Sequence, residues 1–352
     1  MPTPEEILEH LRTVRYPGFS RDIVSFGVVK DIEVSSSAVT IHLAPTTAHA
    51  DVVQQIERDV RAAVTAMPGV SAPVEIVAAP PPRPAAPRGP QPIAGVKHVL
   101  AVASGKGGVG KSTVATNLAL AFASLRPAVG LMDADVYGPS VPLMLGIKEQ
   151  AQPGEGGRLI PAERHGLRVI SMGMFLGAGT PVIWRGPMVT KLITEFLRNV
   201  EWGELDVLVI DLPPGTGDVQ LTLTQQVPLT GGIIVTTPQD VALADVRRGI
   251  AMFRQVNAPV LGLIENMSYH LCPGCGARAD LFGHGGGAAM AREANIPVLG
   301  EVPLVRAIRE AGDAGLPLVA AQTSHPQSRA FREIAERVLV RLAEARPVLP
   351  VV

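Results

Sequence analysis

Gly105-Lys106-Gly107-Gly108-Val109-Gly110-Lys111-Ser112 has the spacing G-x-x-x-x-G-K-S, a pattern that wraps backbone amides around a polyphosphate. The loop follows the apolar run HVLAVAS and opens a helix at Gly110–Lys111, the strand–loop–helix context this chemistry needs. Glycines let successive N–H groups converge on phosphate oxygens, and the helix N-terminus adds its positive end. Lys111 is placed to neutralise the β and γ phosphates of a nucleoside triphosphate such as ATP. Ser112 offers a hydroxyl to Mg²⁺, and Thr113 follows as a further nucleotide contact. Lys106 is a second lysine inside the loop. An ordinary phosphate loop does not need it, so it is either a solvated charge or the mark of a special class.

Three carboxylates stand at the ends of apolar runs. Asp211 closes DVLVID and has the setting of the acidic residue that holds a magnesium-bound water. Asp133 and Asp135 flank Ala134 after AVGLM, where one reaches the metal water and the other orients or activates the attacking water. Pro213-Pro214-Gly215-Thr216-Gly217 gives a stiff turn followed by flexible backbone, suited to sensing a γ-phosphate. Asn266, at the end of GLIEN, carries an amide that both donates and accepts, as a purine edge requires, although a loop-capping role fits the same position.

Cys272 and Cys275, in Cys-Pro-Gly-Cys-Gly, are the only cysteines of the chain. Proline and glycines turn the backbone so that both thiols face one ion. Three readings follow from the residues: a redox pair, a metal site completed by His270 or His284, and a site shared between two copies of the chain. Four thiolates gathered on a two-fold axis suit Zn²⁺ and an iron–sulfur cluster equally.

The elements that position these groups fall into two blocks. Residues 1–78 read as helix, strand, strand, helix, strand: a small α+β domain. EEILEHLRTV has helical spacing, the segment from Val24 to Pro45 carries two strands around Ser35–Ser37, and Val52, Ile56, Val60 and Val64 share one helical face before the strand APVEIVA. Residues 79–92, APPPRPAAPRGPQP, form an extended linker, because proline lacks the donor that either ladder or helix requires. From residue 93 to 352, short Val/Ile/Leu-rich runs alternate with helices, among them a helix over Ala242–Val256, one starting at Gly287 and an amphipathic one from Phe331 to Arg346. Runs with little polar alternation predict an α/β fold whose parallel sheet is covered on both faces, with its chemistry at the C-terminal strand ends.

Bulk properties exclude some functions. The 352 residues carry a formal net charge of −1 and are only 4% aromatic, which argues against nucleic-acid binding by counterion release or base stacking. The acidic start MPTPEEILEH lacks a secretory pattern, and the longest uncharged stretches, Val169–Trp184 and Val219–Gln239, are broken by Gly, Pro, Gln or Thr. The expectation is a cytoplasmic protein with free thiols and no membrane partner.

Together these segments resemble a known family. GKGGVGKS is similar to the deviant phosphate loop of the MinD/ParA/nitrogenase-iron-protein class, with Lys106 as its signature lysine. DADVYGPS at 133–140, DLPPGTGD at 211–218, ENMSYHLCPGCG at 265–276, FGHGGG at 282–287 and LGEVPL at 299–304 resemble the Mrp/NBP35/ApbC iron–sulfur cluster carriers. The resemblance implies a P-loop ATPase acting as a homodimer, with Lys106 reaching the phosphates bound by the other subunit. It implies that Asp135 assists the attacking water, that Asp133 and Asp211 surround Mg²⁺, and that Asn266 and the backbone near Pro303–Leu304 receive adenine. Cys272 and Cys275 of both chains would then bridge a labile [4Fe-4S] cluster. Recipient apoproteins and an upstream cluster scaffold are the implied partners, with the ATP state altering the dimer and its grip on the cluster.

Residues 5–78 resemble the MIP18-type domain that precedes such carriers, visible in RDIVSFGVVKDIEV. Tyr16-Pro17-Gly18 stands where that domain usually begins Asp-Pro-Glu, and Ala50 where it usually carries a cysteine. The implied role is therefore structural or partner-docking, without a thiol. Two rival readings fit part of the pattern. One is a MinD/ParA-like positioning ATPase, which a membrane-seeking C-terminal helix would favour, whereas FREIAERVLVRLAEA reads as a packing helix. The other rival is a zinc-bridged dimeric ATPase scaffold.

Overall fold

Thr3 begins the first helix with a reciprocal cap. Its hydroxyl accepts from the Glu6 amide at 3.3 Å, while the Glu6 carboxylate accepts from the Thr3 amide at 2.8 Å. The computed structural model describes residues 2–17, 22–35, 37–44, 50–78, 90–126, 128–175, 186–215 and 217–344. Its chain forms two compact units, Met1–Arg88 and Gly89–Val352.

In the first unit, α1 (Pro4–Leu11) is followed by β1 (Val29–Val34), β2 (Val39–Leu43), α2 (Ala50–Thr65) and β3 (Val74–Ala78). β1 pairs antiparallel with β2, and β3 returns parallel to β2, so the sheet order is β1-β2-β3. The apolar face of α2 supplies buried Ile56, Val60 and Val64, which join Ile7, Leu11, Ile41 and Leu43 in a core of the unit's own. Gly18 and most of the proline-rich spacer, residues 79–89, lie outside the described residues, as does the side chain of Ala50.

The second unit runs β4 (Val96–Ser104), α3 (Lys111–Leu125), β5 (Val129–Asp133), α4 (Val141–Leu145), β6 (Gln152–Pro153), β7 (Leu159–Ile160), β8 (Ala162–Arg164) and β9 (Leu167–Ser171). It continues through α5 (Gly186–Arg198), β10 (Leu205–Asp211), α6 (Asp218–Gln226), β11 (Gly231–Thr236), α7 (Asp240–Gln255) and β12 (Val260–Asn266). β13 (His270–Leu271) and β14 (Arg278–Ala279) form a hairpin, followed by α8 (Gly286–Ala294), β15 (Val298–Val302), α9 (Arg306–Asp313), α10 (Leu318–Ala321) and α11 (Pro326–Glu344).

Eight strands form one sheet in the order β15-β12-β11-β4-β10-β5-β9-β8. Every neighbouring pair from β15 to β9 is parallel, as the sequence pattern predicts. The edge strand β8 is the exception. It hairpins antiparallel onto β9 through His165 and Gly166, both in left-handed backbone, φ +50 and +77. β5 and β11 are buried at every residue, the mark of a sheet with helices on both faces. The last helix begins at Pro326 rather than Phe331, since proline is well tolerated in a first helical turn. Its buried stripe, including Phe331, Ile334 and Val338, packs on α3. No helix among the described residues is long and apolar enough to cross a membrane.

Candidate nucleotide and thiol sites

Parallel strands deliver their C-terminal ends to one edge, so the loops after β4, β5, β10, β12 and β15 share it. The loop from Gly105 to Gly110 is held from behind and open in front. A Cβ on Gly105 would run into Asp245, and one on Gly110 into the Asn266 amide, whereas Cβ atoms on Gly107 and Gly108 would meet nothing within 4 Å. Gly108 and Gly110 hold left-handed backbone, φ +83 and +76, which only glycine adopts without strain. Asn266 Nδ2 donates to the Val109 carbonyl at 2.8 Å, so this amide buttresses the loop as well as facing the space beside it. Ser112 and Thr113 follow Lys111 in the first turn of α3.

Lys111 is buried, 6% exposed, and its Nζ lies 2.5 Å from Oδ1 of the fully buried Asp211. The same ammonium reaches the Ser112 hydroxyl at 3.2 Å. Burial pushes the Asp211 carboxyl upward while Lys111 pulls it back, and its Oδ2 is buried without a hydrogen-bond partner among the described groups. A buried carboxylate oxygen without a partner, next to the Ser112 hydroxyl, suits a hydrated cation once Lys111 turns to another anion.

Asp133 is also fully buried, but its oxygens are engaged. Oδ1 accepts from the Asp135 amide at 3.1 Å; Oδ2 accepts from the Ser171 hydroxyl at 2.9 Å and the Val141 amide at 3.3 Å. Burial first, and the neighbouring Asp211 charge second, push its carboxyl up to about 7. Asp135 is half-buried and accepts from the Gly138 amide at 3.3 Å, which closes the turn after β5. Lys106 lies toward its own chain's Gln239, with Nζ 3.5 Å from Oε1, and its carbonyl accepts from Ser104 Oγ at 3.0 Å.

Beside the loop is a cavity of about 270 Å³. Gly110, Thr113, Asn266, Pro303 and Leu304 line it, which brings together the residues singled out for the base. Asn117, Met144, Met267, Arg309 and Asp313 also line it and carried no signal in the sequence. Gln220 was missed too. Buried one helical turn past the Pro213–Gly217 segment, it donates to the Pro213 carbonyl at 2.9 Å, while the Gly215 amide donates to Ser104 O at 3.0 Å. Thr216 lies outside the described residues.

The two thiols sit at the tip of the β13–β14 hairpin, Cys272 half-buried and Cys275 exposed. The Cys272 amide donates to Ala277 O at 2.9 Å and the Gly276 amide to Cys272 O at 2.8 Å, a tight turn that Gly276 closes at φ +72. Amides of Cys275 and Gly274 aimed at its sulfur pull the Cys272 thiol below its ordinary value, toward the thiolate that metals bind. His270 Nδ1 faces the Leu304 carbonyl at 3.1 Å, and His284 Nδ1 faces Arg278 at 3.1 Å. Among the described residues, no group of three or more His, Cys, Asp or Glu gathers to hold a metal ion. Among the described residues the two thiols have no third ligand beside them.

A phosphate loop at the end of a central parallel strand, with buried carboxylates ending the next two strands on one side, defines a P-loop nucleoside triphosphatase of the ParA/MinD architecture. Residues 95–339 match the model of the NUBPL iron-transfer P-loop NTPases, so the chain belongs to that family. Residues 4–76 match a second model, that of iron–sulfur cluster assembly proteins. The iron–sulfur cluster carrier protein of Synechocystis is 43% identical over 98% of this chain and 99% of its own. Among solved structures, a nucleotide-binding protein of Archaeoglobus fulgidus in complex with ADP is 38% identical, covering 68% of this chain and 93% of that one at a TM-score of 0.58. The cell-division ATPase MinD of Pyrococcus furiosus shares the fold at 21% identity and a TM-score of 0.53, over 69% of this chain and 99% of its own.

Proposed function

We propose that this chain is an ATP-hydrolysing iron–sulfur cluster carrier of the cytoplasm. Two copies hold a labile [4Fe-4S] cluster on Cys272 and Cys275 of each chain and pass it to recipient apoproteins. The observation that carries this reading is the placing of the thiols. Their hairpin leaves the end of β12, the strand whose Asn266 buttresses the phosphate loop, and one chain supplies only half of a four-sulfur site.

The nucleotide chemistry follows from the same edge. Loop amides from Gly105 to Ser112 and the Lys111 ammonium receive the phosphates, Asn266 with the Pro303–Leu304 backbone receives adenine, and Ser112 with Asp211 holds Mg²⁺. The cation supplies charge neutralisation between the phosphates. Asp133 holds the turn that carries Asp135, through its bonds to the Asp135 and Val141 amides. Asp135 orients the attacking water, and Lys106 steadies the phosphates of the partner subunit. A MinD-like positioning role leaves the thiol hairpin without a use, and its likeness speaks to the fold alone.

Anaerobic reconstitution with iron and sulfide tests the carrier role. About two irons and two sulfides per chain, with visible charge-transfer absorption, correspond to one four-iron cluster per dimer. Zinc bound in place of iron under the same conditions would favour the scaffold reading instead. Cys272→Ala with Cys275→Ala removes iron binding and leaves a chain that still binds ADP, since the thiols touch no nucleotide residue.

A further inference from the structure

The chain does not end its business with the cavity at Asn266. Met267, in the cavity wall, takes left-handed backbone at φ +55, a strained conformation for a residue that carries a side chain. It turns the chain from that wall into the stem of the thiol hairpin. Across from it, β15 continues from Val302 into Pro303 and Leu304, which also line the cavity.

These two segments stay bonded beyond the sheet. The Ser268 amide donates to Val302 O at 3.0 Å, the Leu304 amide donates to Tyr269 O at 2.7 Å, and His270 Nδ1 lies 3.1 Å from Leu304 O. A carbonyl only accepts, so His270 carries its proton on Nδ1. Both main-chain polar groups of Leu304 are thus tied to the two residues just before Leu271 and Cys272. The stem is braced on its other side as well. Arg278 lies 4.2 Å from the centroid of the Tyr269 ring, and its guanidinium donates to Asp280 at 2.8 Å.

We propose that the Tyr269–His270 link to Leu304 couples the nucleotide cavity to the thiol pair inside a single protomer, with His270 as the positioning residue. A base seated between Asn266 and Leu304 presses on the same residue that anchors the hairpin, so the empty and filled cavities favour different settings of the thiols. The carrier reading says what those thiols hold, and this proposal rests on it for that. The coupling itself is readable in protein that has never seen iron.

The experiment uses the full-length, metal-free chain and the rate at which 5,5′-dithiobis(2-nitrobenzoate) modifies its two thiols, with and without saturating Mg·ADP. The expected ratio of rates is about fivefold or more in the unsubstituted chain, unchanged on diluting the protein, and it falls toward one in His270→Ala while ADP affinity is kept. His270→Asn, whose Nδ2 replaces the ring Nδ1 as donor, restores it. Coupling between the two sites runs in both directions, so alkylating the thiols of the unsubstituted chain shifts its ADP affinity as well, a reading independent of how the variants fold. A ratio of one in the unsubstituted chain, an undiminished ratio in His270→Ala, or a ratio that vanishes on dilution would overturn the proposal, the last by assigning protection to contact between copies. Failure to take up iron alongside an intact ratio would sink the carrier reading and leave the coupling standing.

Discussion

Lys111 and Asp211 face each other at 2.5 Å inside the site, so the ammonium a phosphate needs is already spoken for. On the proposed reading, nucleotide entry draws Lys111 away from this carboxylate, and magnesium would take up the charge left behind. Asp211→Asn removes that competitor. The expected result in titration calorimetry is Mg²⁺-free ADP binding several-fold tighter, with ATP turnover lost. Lys111→Ala has the opposite effect: removing a charged donor costs ~1.5–3 kcal/mol, or about ten- to a hundredfold in ADP affinity. Asp133 gives a pH signature. Its carboxyl, lifted to about 7 by burial and by Asp211, keeps a proton in the folded chain that the unfolded chain has released above about 4. Its contribution to apo-protein stability is therefore full at low pH and lost as pH rises toward 7, at up to about 1.4 kcal/mol per pH unit. Denaturant unfolding of Asp133→Asn should show a flatter profile over that window; an unchanged slope would remove Asp133 as its source. At this scale the sequence was legible where spacing to the loop or a strand end identified a residue, as for Lys111 and Asp211. Ser171 and Gln220 were not legible, because each acts through a contact with a distant or ordinary-looking segment.

The elements explain why glycines in one loop are not interchangeable. Gly110 has left-handed backbone and no room for a Cβ against Asn266, whereas Gly107 faces open space. Gly110→Ala should therefore lose thermal stability together with ADP binding. Gly107→Ala should keep its Tm within about 2 °C and lose ADP binding alone, since its new methyl intrudes only where phosphate sits. Differential scanning calorimetry with ADP titration separates the two, and equal Tm losses would contradict the assignment of the loop's open face. Runs of apolar residues made β4, β5, β10, β11 and β12 readable, because burial on both faces writes itself into local composition. β8 and the bonds that anchor the β13–β14 stem left no such trace. They depend on which distant segment lies alongside, and short polar strands have little composition of their own.

On the scale of the whole molecule, the chain's two cysteines sit in one exposed hairpin and its extra loop lysine points along its own surface, to Gln239. Both make better sense with a second copy facing the same edge. If Lys106 serves the partner's phosphates, Lys106→Ala leaves ADP affinity of the single chain within about twofold and stops turnover in the dimer. Mixing then distinguishes service across the interface from service at home. In a mixed dimer of Lys106→Ala with Asp135→Ala, the site on the Lys106→Ala chain keeps its own Asp135 and borrows an intact Lys106. The other site carries both defects. Equal mixing makes half of the dimers mixed, each with one working site of two, so turnover should recover to about a quarter of the unsubstituted rate. If Lys106 acts within its own chain, every site in the mixture has one defect and no activity returns. The same recovery has to appear only when subunits are allowed to exchange, because it depends on the lysine of one chain meeting the nucleotide of another.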